Sequence, residues 1–229
     1  CDGCNPGTTH YMNLDIIESN STDTTSCTQW VSDINDCNSL ELNILQTFIN
    51  NSESTISIEM DTNDDGIINP LELGRQLWVN GRLIQFNCGG SDFTCGLSGE
   101  IPSDISEIIN LEVLNLYNNN ISGTIPTEIT GLSNLKGLFL TYNNINGSIP
   151  ESIGNLSNLI FLMILNTGIT GEIPSSIGEL TNLNVLNISG NNSLSGEIPS
   201  EIGDLENLTS LSLYSNQLTG EIPSDIGNL

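Results

Sequence analysis

A motif of about 24 residues repeats along the second part of the chain, and this period constrains the fold more than any other feature. Ile-Pro recurs with prolines at positions 102, 126, 150, 174, 199 and 223, spaced by 24, 24, 24, 25 and 24 residues. The surrounding consensus is Leu-x-x-Leu-x-Leu-x-x-Asn-x-Leu/Ile-x-Gly-x-Ile-Pro-x-x-Ile. A unit of this length cannot bury its own leucines, so a fixed period predicts a stack of similar turns.

Each part of the motif has a physical role in such a turn. The Leu-x-Leu alternation is typical of a short strand whose leucines face inward while the x residues face outward. Asn after the strand can satisfy backbone groups where the chain bends. Gly permits a bend that a Cβ would obstruct, and Pro excludes a helix interior. The predicted asparagines are Asn119, Asn143, Asn192 and Asn216.

The repeat resembles the extracellular leucine-rich repeat proteins of the plant type, which carry the same Leu-x-Gly-x-Ile-Pro motif. The resemblance covers residues 83–229 and implies an α/β repeat solenoid of about six turns, with a short parallel β-sheet on the concave face. Three departures are visible: Thr167 at an Asn position, an extra residue near 189–193, and Cys88 in place of a strand leucine. The first turn is therefore expected to be held by a disulfide.

The cysteine pattern favours an oxidising compartment, because an even number within the first 95 residues is typical of disulfides. Cys88–Cys95 and Cys27–Cys37 are the expected pairs, since both close short loops. The pairing of Cys1 and Cys4 stays open, and a zinc site is the weaker alternative because there is a single Cys-x-x-Cys pair. We expect a secreted or cell-surface protein. Candidate glycosylation sequons begin at Asn20, Asn50, Asn120, Asn146, Asn155, Asn187, Asn191 and Asn207.

The charge excludes several classes of partner. The chain has 28 acidic residues against three basic ones, Arg75, Arg82 and Lys136, and its formal net charge is −25. Nothing in this composition could neutralise nucleic-acid phosphates or an anionic membrane surface. No apolar run approaches the length of about 20 residues that spans a bilayer.

Residues 1–82 do not repeat, and we expect them to form a partly helical N-terminal cap over the first turn. The spacing of apolar residues predicts an amphipathic helix near 38–50, with its apolar face at Leu40, Leu42, Leu45, Phe48 and Ile49. Trp30 and Trp78 are expected in the core of the cap. A second helix is expected from Pro70 to Trp78.

Residues 61–72 fit the twelve-residue EF-hand calcium loop at every defining position. The expected oxygen ligands are Asp61, Asn63, Asp65, the Ile67 carbonyl, Asn69 and Glu72, with Gly66 at the sharp turn. The segment before the loop is a poor helix, so the loop also resembles the dockerin type, but a second loop is missing. The alternative is an acidic surface turn without metal. A structural calcium ion is the predicted cofactor.

The outward strand residues define a candidate binding face for a protein partner. The expected contacts are Val113, Asn115, Tyr117, Phe139, Phe161, Met163, Leu165 and Tyr214, whose apolar members we expect to be exposed together. Acidic residues recur in two further columns, Glu100, Glu172, Glu197, Glu221 and Asp104, Glu128, Glu201, Asp225. These columns are more readily explained as a solvated surface than as cation sites.

No motif indicates catalysis: there is a single histidine, no phosphate-binding loop and no nucleophile elbow. The leading hypothesis is a non-catalytic extracellular recognition module that binds through the concave face, with carbohydrate as a further partner class left open. The alternative is a filament subunit, because no cap follows the last turn and another protomer could cover it. An ice-binding role lacks a regular threonine array.

Overall fold

The computed structural model describes residues 37–90 and 93–229. Cys1, Cys4, Cys27, Trp30 and Asn20 lie outside these residues, and so does the predicted Cys27–Cys37 pair as a whole. Cys37 itself is buried. Within the described ranges, no helix is long and apolar enough to cross a membrane.

Eleven strands and one α-helix are assigned in the described residues. The helix is α1 (Ser39–Asn51). The strands are β1 (Arg75–Val79), β2 (Arg82–Asn87), β3 (Ser98–Glu100), β4 (Val113–Asn115), β5 (Asn120–Ser122), β6 (Gly137–Phe139), β7 (Phe161–Met163), β8 (Thr170–Gly171), β9 (Val185–Asn187), β10 (Ser193–Leu194) and β11 (Ser210–Ser212).

The cap helix forms where the apolar spacing predicts it. Asn38 caps its N-terminus, because the side-chain oxygen accepts the Leu40 and Glu41 N–H groups at 3.0 and 3.3 Å. The predicted apolar face is buried at Leu42, Leu45, Phe48 and Ile49, whereas Leu40 is exposed. Trp78 is half-buried and packs against the core, as expected.

The predicted helix from Pro70 to Trp78 is wrong. A short 3₁₀ helix, Pro70–Glu72, is followed by the hairpin of β1 and β2, which are antiparallel. Asn80 and Gly81 form the turn with φ values of 50° and 72°. An Asn-Gly pair with two positive φ angles is a strong hairpin signal, and it explains why a hairpin forms here instead of the expected helix.

Strands β1, β2, β4, β6, β7, β9 and β11 form one sheet in that order, and from β2 onward neighbouring strands are parallel. This is the solenoid sheet expected from the repeat. Two smaller parallel pairs, β3–β5 and β8–β10, form beside it. A 3₁₀ helix follows each Ile-Pro, at Ser103–Glu107, Thr127–Gly131, Glu151–Asn155, Ser175–Glu179, Ser200–Asp204 and Ser224–Asn228.

A continuous cluster of buried apolar side chains runs from Ile44 in α1 to Leu208 near β11, so the cap and the solenoid share one core. At the junction, the Glu41 carboxylate accepts the Leu83 N–H at 2.7 Å and pairs with the Arg82 guanidinium at 2.7 Å. Burial raises the pKa of the Glu41 carboxyl above its ordinary value, although the Leu83 N–H and Arg82 lower it. The predicted Cys88–Cys95 disulfide is confirmed and is buried beside this junction.

An asparagine ladder links successive turns, as predicted, with one correction. Asn143 donates to the Leu116 and Leu140 carbonyls at 2.8 and 2.9 Å and accepts the Ile121 N–H at 2.9 Å. In the fifth turn the ladder residue is Asn191, which is fully buried, and the predicted Asn192 is exposed. Asn191 stands three residues after Ile188, as the consensus requires, so the prediction of Asn192 misplaced the extra residue, which lies between Asn191 and Leu194.

Candidate ligand-binding face

The solenoid sheet presents the outward side chains predicted for the concave face. Strand pairing aligns them in two columns, Val113, Gly137, Phe161, Val185, Ser210 and Asn115, Phe139, Met163, Asn187, Ser212. A third column at the strand ends contains Tyr117, Thr141, Leu165, Ser189 and Tyr214. The predicted partner-binding residues therefore belong to one face.

The apolar side chains at the centre of this face are buried, which corrects the prediction that they are exposed together. Val113, Phe139 and Phe161 are only 0%, 6% and 2% exposed. Gly137 permits this, because a Cβ at that position would lie 2.6 Å from the Phe139 ring. The Phe139 ring stacks on Phe161 with 6.2 Å between the centroids. The cluster is completed by Ile160, Met163 and Val185.

Tyrosines form the exposed part of the face. Tyr117 and Tyr142 meet edge to face with ring centroids 5.5 Å apart, and Tyr142 is 44% exposed. Burial raises the pKa of the Tyr117 hydroxyl above its ordinary value, and Tyr142 raises it further. Tyr214 is 63% exposed, and Met163 and Leu165 are half-buried. Accessible apolar area therefore remains at the margin of the closed cluster.

Sequence reasoning missed Tyr142, because strand alternation ends before this position. Tyr142 has a φ of 55°, and Asn118, Asn166 and Ser215 adopt the same left-handed conformation in their own turns at 55°, 50° and 55°. A bulky residue is unusual in that conformation, whereas Asn is tolerated. The position of Tyr142 in a column otherwise occupied by small polar residues is the signal that could have identified it.

The side chains of the asparagines on this face already form hydrogen bonds within the protein. Asn115 is 4% exposed, donates to the Gly89 carbonyl at 3.0 Å and accepts the Tyr117 N–H at 3.0 Å. This corrects the prediction that Asn115 is available to a partner. Asn187 accepts the Ser189 N–H at 3.1 Å and is half-buried. The available hydrogen-bonding groups therefore lie toward β9 and β11.

The predicted calcium loop follows the 3₁₀ helix Ile58–Met60. The Asp61 carboxylate accepts the Asp65 N–H at 3.2 Å and the Gly66 N–H at 2.8 Å, and Asp65 accepts the Ile67 N–H at 2.8 Å. Gly66 has a φ of 82°, which agrees with a sharp turn at this position. The backbone thus curls around the Asp61 carboxylate.

Glu72 closes the loop from the other side. It is 6% exposed and accepts the backbone and side-chain N–H groups of Asn69 at 2.9 and 3.0 Å and the Thr62 hydroxyl at 3.1 Å. Across residues 37–90 and 93–229, no three His, Cys, Asp or Glu side chains stand close enough together to hold a metal ion. Calcium binding therefore stays a prediction from the motif.

A second outward surface, the lateral ladder, consists of Ser122, Asn146, Thr170, Ser195 and Thr219. The four hydroxyl groups each donate to the carbonyl of a glycine one turn earlier, at 3.2 to 3.4 Å. The Asn146 N–H donates to the Gly123 carbonyl at 2.7 Å. Four small hydroxyl side chains thus recur in one orientation along the solenoid, and Asn146 occupies the corresponding position of its own turn.

The first acidic column borders the lateral ladder. Its Glu100, Glu172 and Glu197 side chains lie over glycines of the next turn, where a Cβ would approach them to 2.7, 2.6 and 2.9 Å. These glycines also have positive φ values, at Gly123, Gly196 and Gly220. The glutamate stems are therefore packed on the backbone, and the exposed carboxylates form a solvated edge.

The described sequons differ in accessibility. Asn191 is fully buried in the asparagine ladder, so this candidate sequon is not accessible for glycosylation in the folded protein. Asn187 is half-buried on the concave face. The remaining described candidates are exposed, at Asn50, Asn120, Asn146, Asn155 and Asn207.

Comparisons with known proteins agree with this architecture. The leucine rich repeat family profiles match residues 109–169, 182–205 and 207–229. No curated protein matches the sequence. The chain is similar to the plant peptide hormone receptor RGFR1 in complex with RGF2, at 41% identity and a TM-score of 0.61, covering 68% of this chain and 27% of that one.

Two further solved structures show the range of functions on this fold. The ectodomain of the receptor kinase GASSHO1/SCHENGEN3 from Arabidopsis thaliana, in complex with CASPARIAN STRIP INTEGRITY FACTOR 2, is 34% identical with a TM-score of 0.69, over 82% of this chain and 22% of that one. A plant ice-binding protein is 26% identical with a TM-score of 0.64, over 83% and 60%.

The chain spans about a quarter of the length of the two receptor chains. Two of these three structures are plant receptors and the third is an ice-binding protein, and no enzyme family is indicated by the profiles or by these structures. The chain carries leucine-rich repeats and folds as the leucine-rich repeat solenoid seen in plant receptor ectodomains.

Proposed function

We propose that the protein is a non-catalytic extracellular recognition module that binds a peptide or protein segment on the concave face. The observation that carries this proposal is the tyrosine pair Tyr117–Tyr142 beside the half-buried Met163 and Leu165. Aromatic and Met side chains that combine a fixed position with accessible area are enriched at interfaces. Similarity to receptors solved with RGF2 and CASPARIAN STRIP INTEGRITY FACTOR 2 supports the same class of partner.

An extracellular or cell-surface location is part of the proposal. The buried Cys88–Cys95 disulfide supports it, because such bonds persist mainly in oxidising compartments. The exposed sequons provide a direct check. Glycan attachment at Asn120 or Asn155, detected by mass spectrometry of protein from its native source, would establish passage through a secretory pathway.

A random peptide library displayed on phage tests the recognition itself. Peptides that are enriched on the purified protein should lose affinity for Tyr142→Ser, because the exposed ring supplies contact area. Ile109→Ser is the matched control, since Ile109 is 52% exposed outside the sheet. Failure to enrich any peptide, or equal affinity for Tyr142→Ser and wild type, would reject concave-face recognition. Filaments in electron micrographs would instead support head-to-tail assembly.

We propose that residues 61–72 bind one structural calcium ion through Asp61, Asn63, Asp65, the Ile67 carbonyl, Asn69 and Glu72. The EF-hand spacing, the Gly66 turn and the buried Glu72 carboxylate support this assignment. A ligand that binds only the folded chain raises its stability. Calcium should therefore raise the melting temperature, a chelator should lower it, and Glu72→Gln should remove the difference. A melt that does not respond to calcium would refute the site.

The lateral ladder favours a second candidate function, adsorption to ice. Its four small hydroxyl side chains recur in a uniform orientation, and the plant ice-binding relative has the same fold. The ladder combines Ser, Thr and Asn, so it differs from the regular threonine array that the sequence lacks. Thermal hysteresis that is present in the wild type and lost in Thr170→Tyr would support this function. Absence of hysteresis and of recrystallisation inhibition would exclude it.

A further inference from the structure

The concave face differs from the rest of the solenoid in charge. Across β4 to β11 its margin carries one ion pair, Glu112 with Lys136 at 2.9 Å, and the strand columns themselves contain no charged residue. The other acidic side chains of the solenoid lie on lateral strands, turns and 3₁₀ helices, at Glu100, Asp104, Glu107, Glu128, Glu151, Glu172, Glu179, Glu197, Glu201, Asp204, Glu206, Glu221 and Asp225. The acidic charge of the chain thus surrounds a neutral sheet.

Each of the three basic side chains already has a partner. Arg82 pairs with Glu41, Lys136 pairs with Glu112, and the Arg75 guanidinium lies 4.5 Å from the centroid of the Phe93 ring. At the margin of this face, a carboxylate, phosphate or sulfate on a ligand would have to share Lys136 with the Glu112 carboxylate, which repels it. An anionic segment is therefore disfavoured on this face.

A cationic segment is disfavoured for a different reason. The acidic side chains attract it to the lateral and 3₁₀ surfaces, and at physiological salt their field extends only about 8 Å into solvent. On the sheet a cation would be desolvated beside Met163 and Leu165 without an acidic partner, and contact with a tyrosine ring would offset only part of that cost. Electrostatic attraction therefore directs cations away from the site.

We infer that the concave face selects an uncharged polypeptide segment, whose apolar or amide side chains pack against Met163, Leu165 and Tyr142. This inference rests on the proposed peptide recognition and adds the charge of the ligand to it. Neutral contact also predicts that binding depends only weakly on ionic strength, although the chain has a net charge of −25.

The phage-displayed random library is again the probe, and the charge of the enriched peptides is the readout. Synthetic copies of these peptides are titrated calorimetrically at about 50 mM and about 500 mM NaCl, where an uncharged ligand should change its Kd by less than about twofold. Three variants each add one glutamate: Met163→Glu in β7, Ser210→Glu in β11 and Ser175→Glu on an exposed 3₁₀ helix. Ser210 is exposed, so this variant remains informative if Met163→Glu unfolds.

The expected result is enrichment of uncharged peptides whose affinity falls in Met163→Glu or Ser210→Glu and is unchanged in Ser175→Glu. Basic peptides that bind more tightly to Met163→Glu, or lose affinity at high salt, would overturn the inference and leave concave-face recognition intact. Enrichment of acidic peptides, whose carboxylates would compete with Glu112 for Lys136, would overturn the inference as well. If no peptide is enriched, the proposed function fails, and the inference fails with it.

Discussion

The cap and the solenoid stabilise the same core by different means. Most solenoid turns repeat one set of contacts, for example the Asn119 and Asn143 side chains that bridge carbonyl groups of adjacent turns. The cap depends on contacts that occur once, including the Glu41–Arg82 ion pair and the Cys88–Cys95 disulfide. Because no second copy of these contacts exists in the described residues, we expect substitutions at the junction to cost more than equivalent changes within the repeats.

Glu41→Ala should have the largest effect. It leaves the Leu83 N–H and the Arg82 guanidinium without their buried partner, which we expect to cost about 3 kcal/mol of unfolding free energy. Chemical denaturation followed by circular dichroism measures this loss. Glu53→Ala, at an exposed cap position, is the matched control and should be neutral. Equal stability of the two variants would show that the junction does not depend on Glu41.

The same site should make stability depend on pH. Because burial raises the pKa of Glu41 in the folded protein, the folded state binds this proton more tightly than the unfolded chain. The contribution of Glu41 to stability therefore increases as the pH falls through the folded pKa and is lost as the pH rises. Relative to Glu41→Gln, which does not titrate, the wild type should gain stability on acidification. An unchanged difference across this titration would contradict the raised pKa.

Asn143→Ala tests the repeated contacts of the solenoid. Removing the amide leaves the buried Ile121 N–H and Leu116 carbonyl without this partner, for an expected cost of about 2 kcal/mol. Thr167→Val is the comparison within the ladder, because it removes one hydroxyl bond to Asn191 from a half-buried side chain. Urea unfolding should show a smaller loss for Thr167→Val. A larger loss there would indicate that the irregular turn, and not the regular ladder, limits stability.

The comparison also explains what the sequence could predict. The 24-residue period specified the parallel sheet, the columns of the concave face and most of the asparagine ladder, because each contact is repeated. The choice of Asn192 was a misassignment, because Asn191 stands three residues after Ile188, as the consensus requires, and is the buried residue. The period itself failed where a local turn decides, since Asn80-Gly81 converts an expected helix into a hairpin. Such local contacts have no period that could reveal them.

The sequence predicted which residues belong to the concave face, but it did not predict which of their side chains are exposed. The alternation identified Phe139 and Phe161 as outward residues, and the structure confirms their columns. Their burial depends on Gly137, whose missing side chain leaves space for a ring from the same strand. Tyr142, in contrast, is exposed by a left-handed backbone conformation that hydrophobic periodicity does not encode.

Gly137→Ala tests this closure and should have the smallest effect of the three substitutions. The added Cβ would lie 2.6 Å from the Phe139 ring, so the ring must move away from Phe161, at an expected cost of about 1 kcal/mol. Gly131→Ala is the control, because its Cβ would meet only Ser106 at 3.4 Å. Denaturation measures the cost, and increased binding of a hydrophobic dye would report exposure of the apolar cluster. A fully stable Gly137→Ala without dye binding would show that Phe139 is held by the sheet itself and not by the space over Gly137.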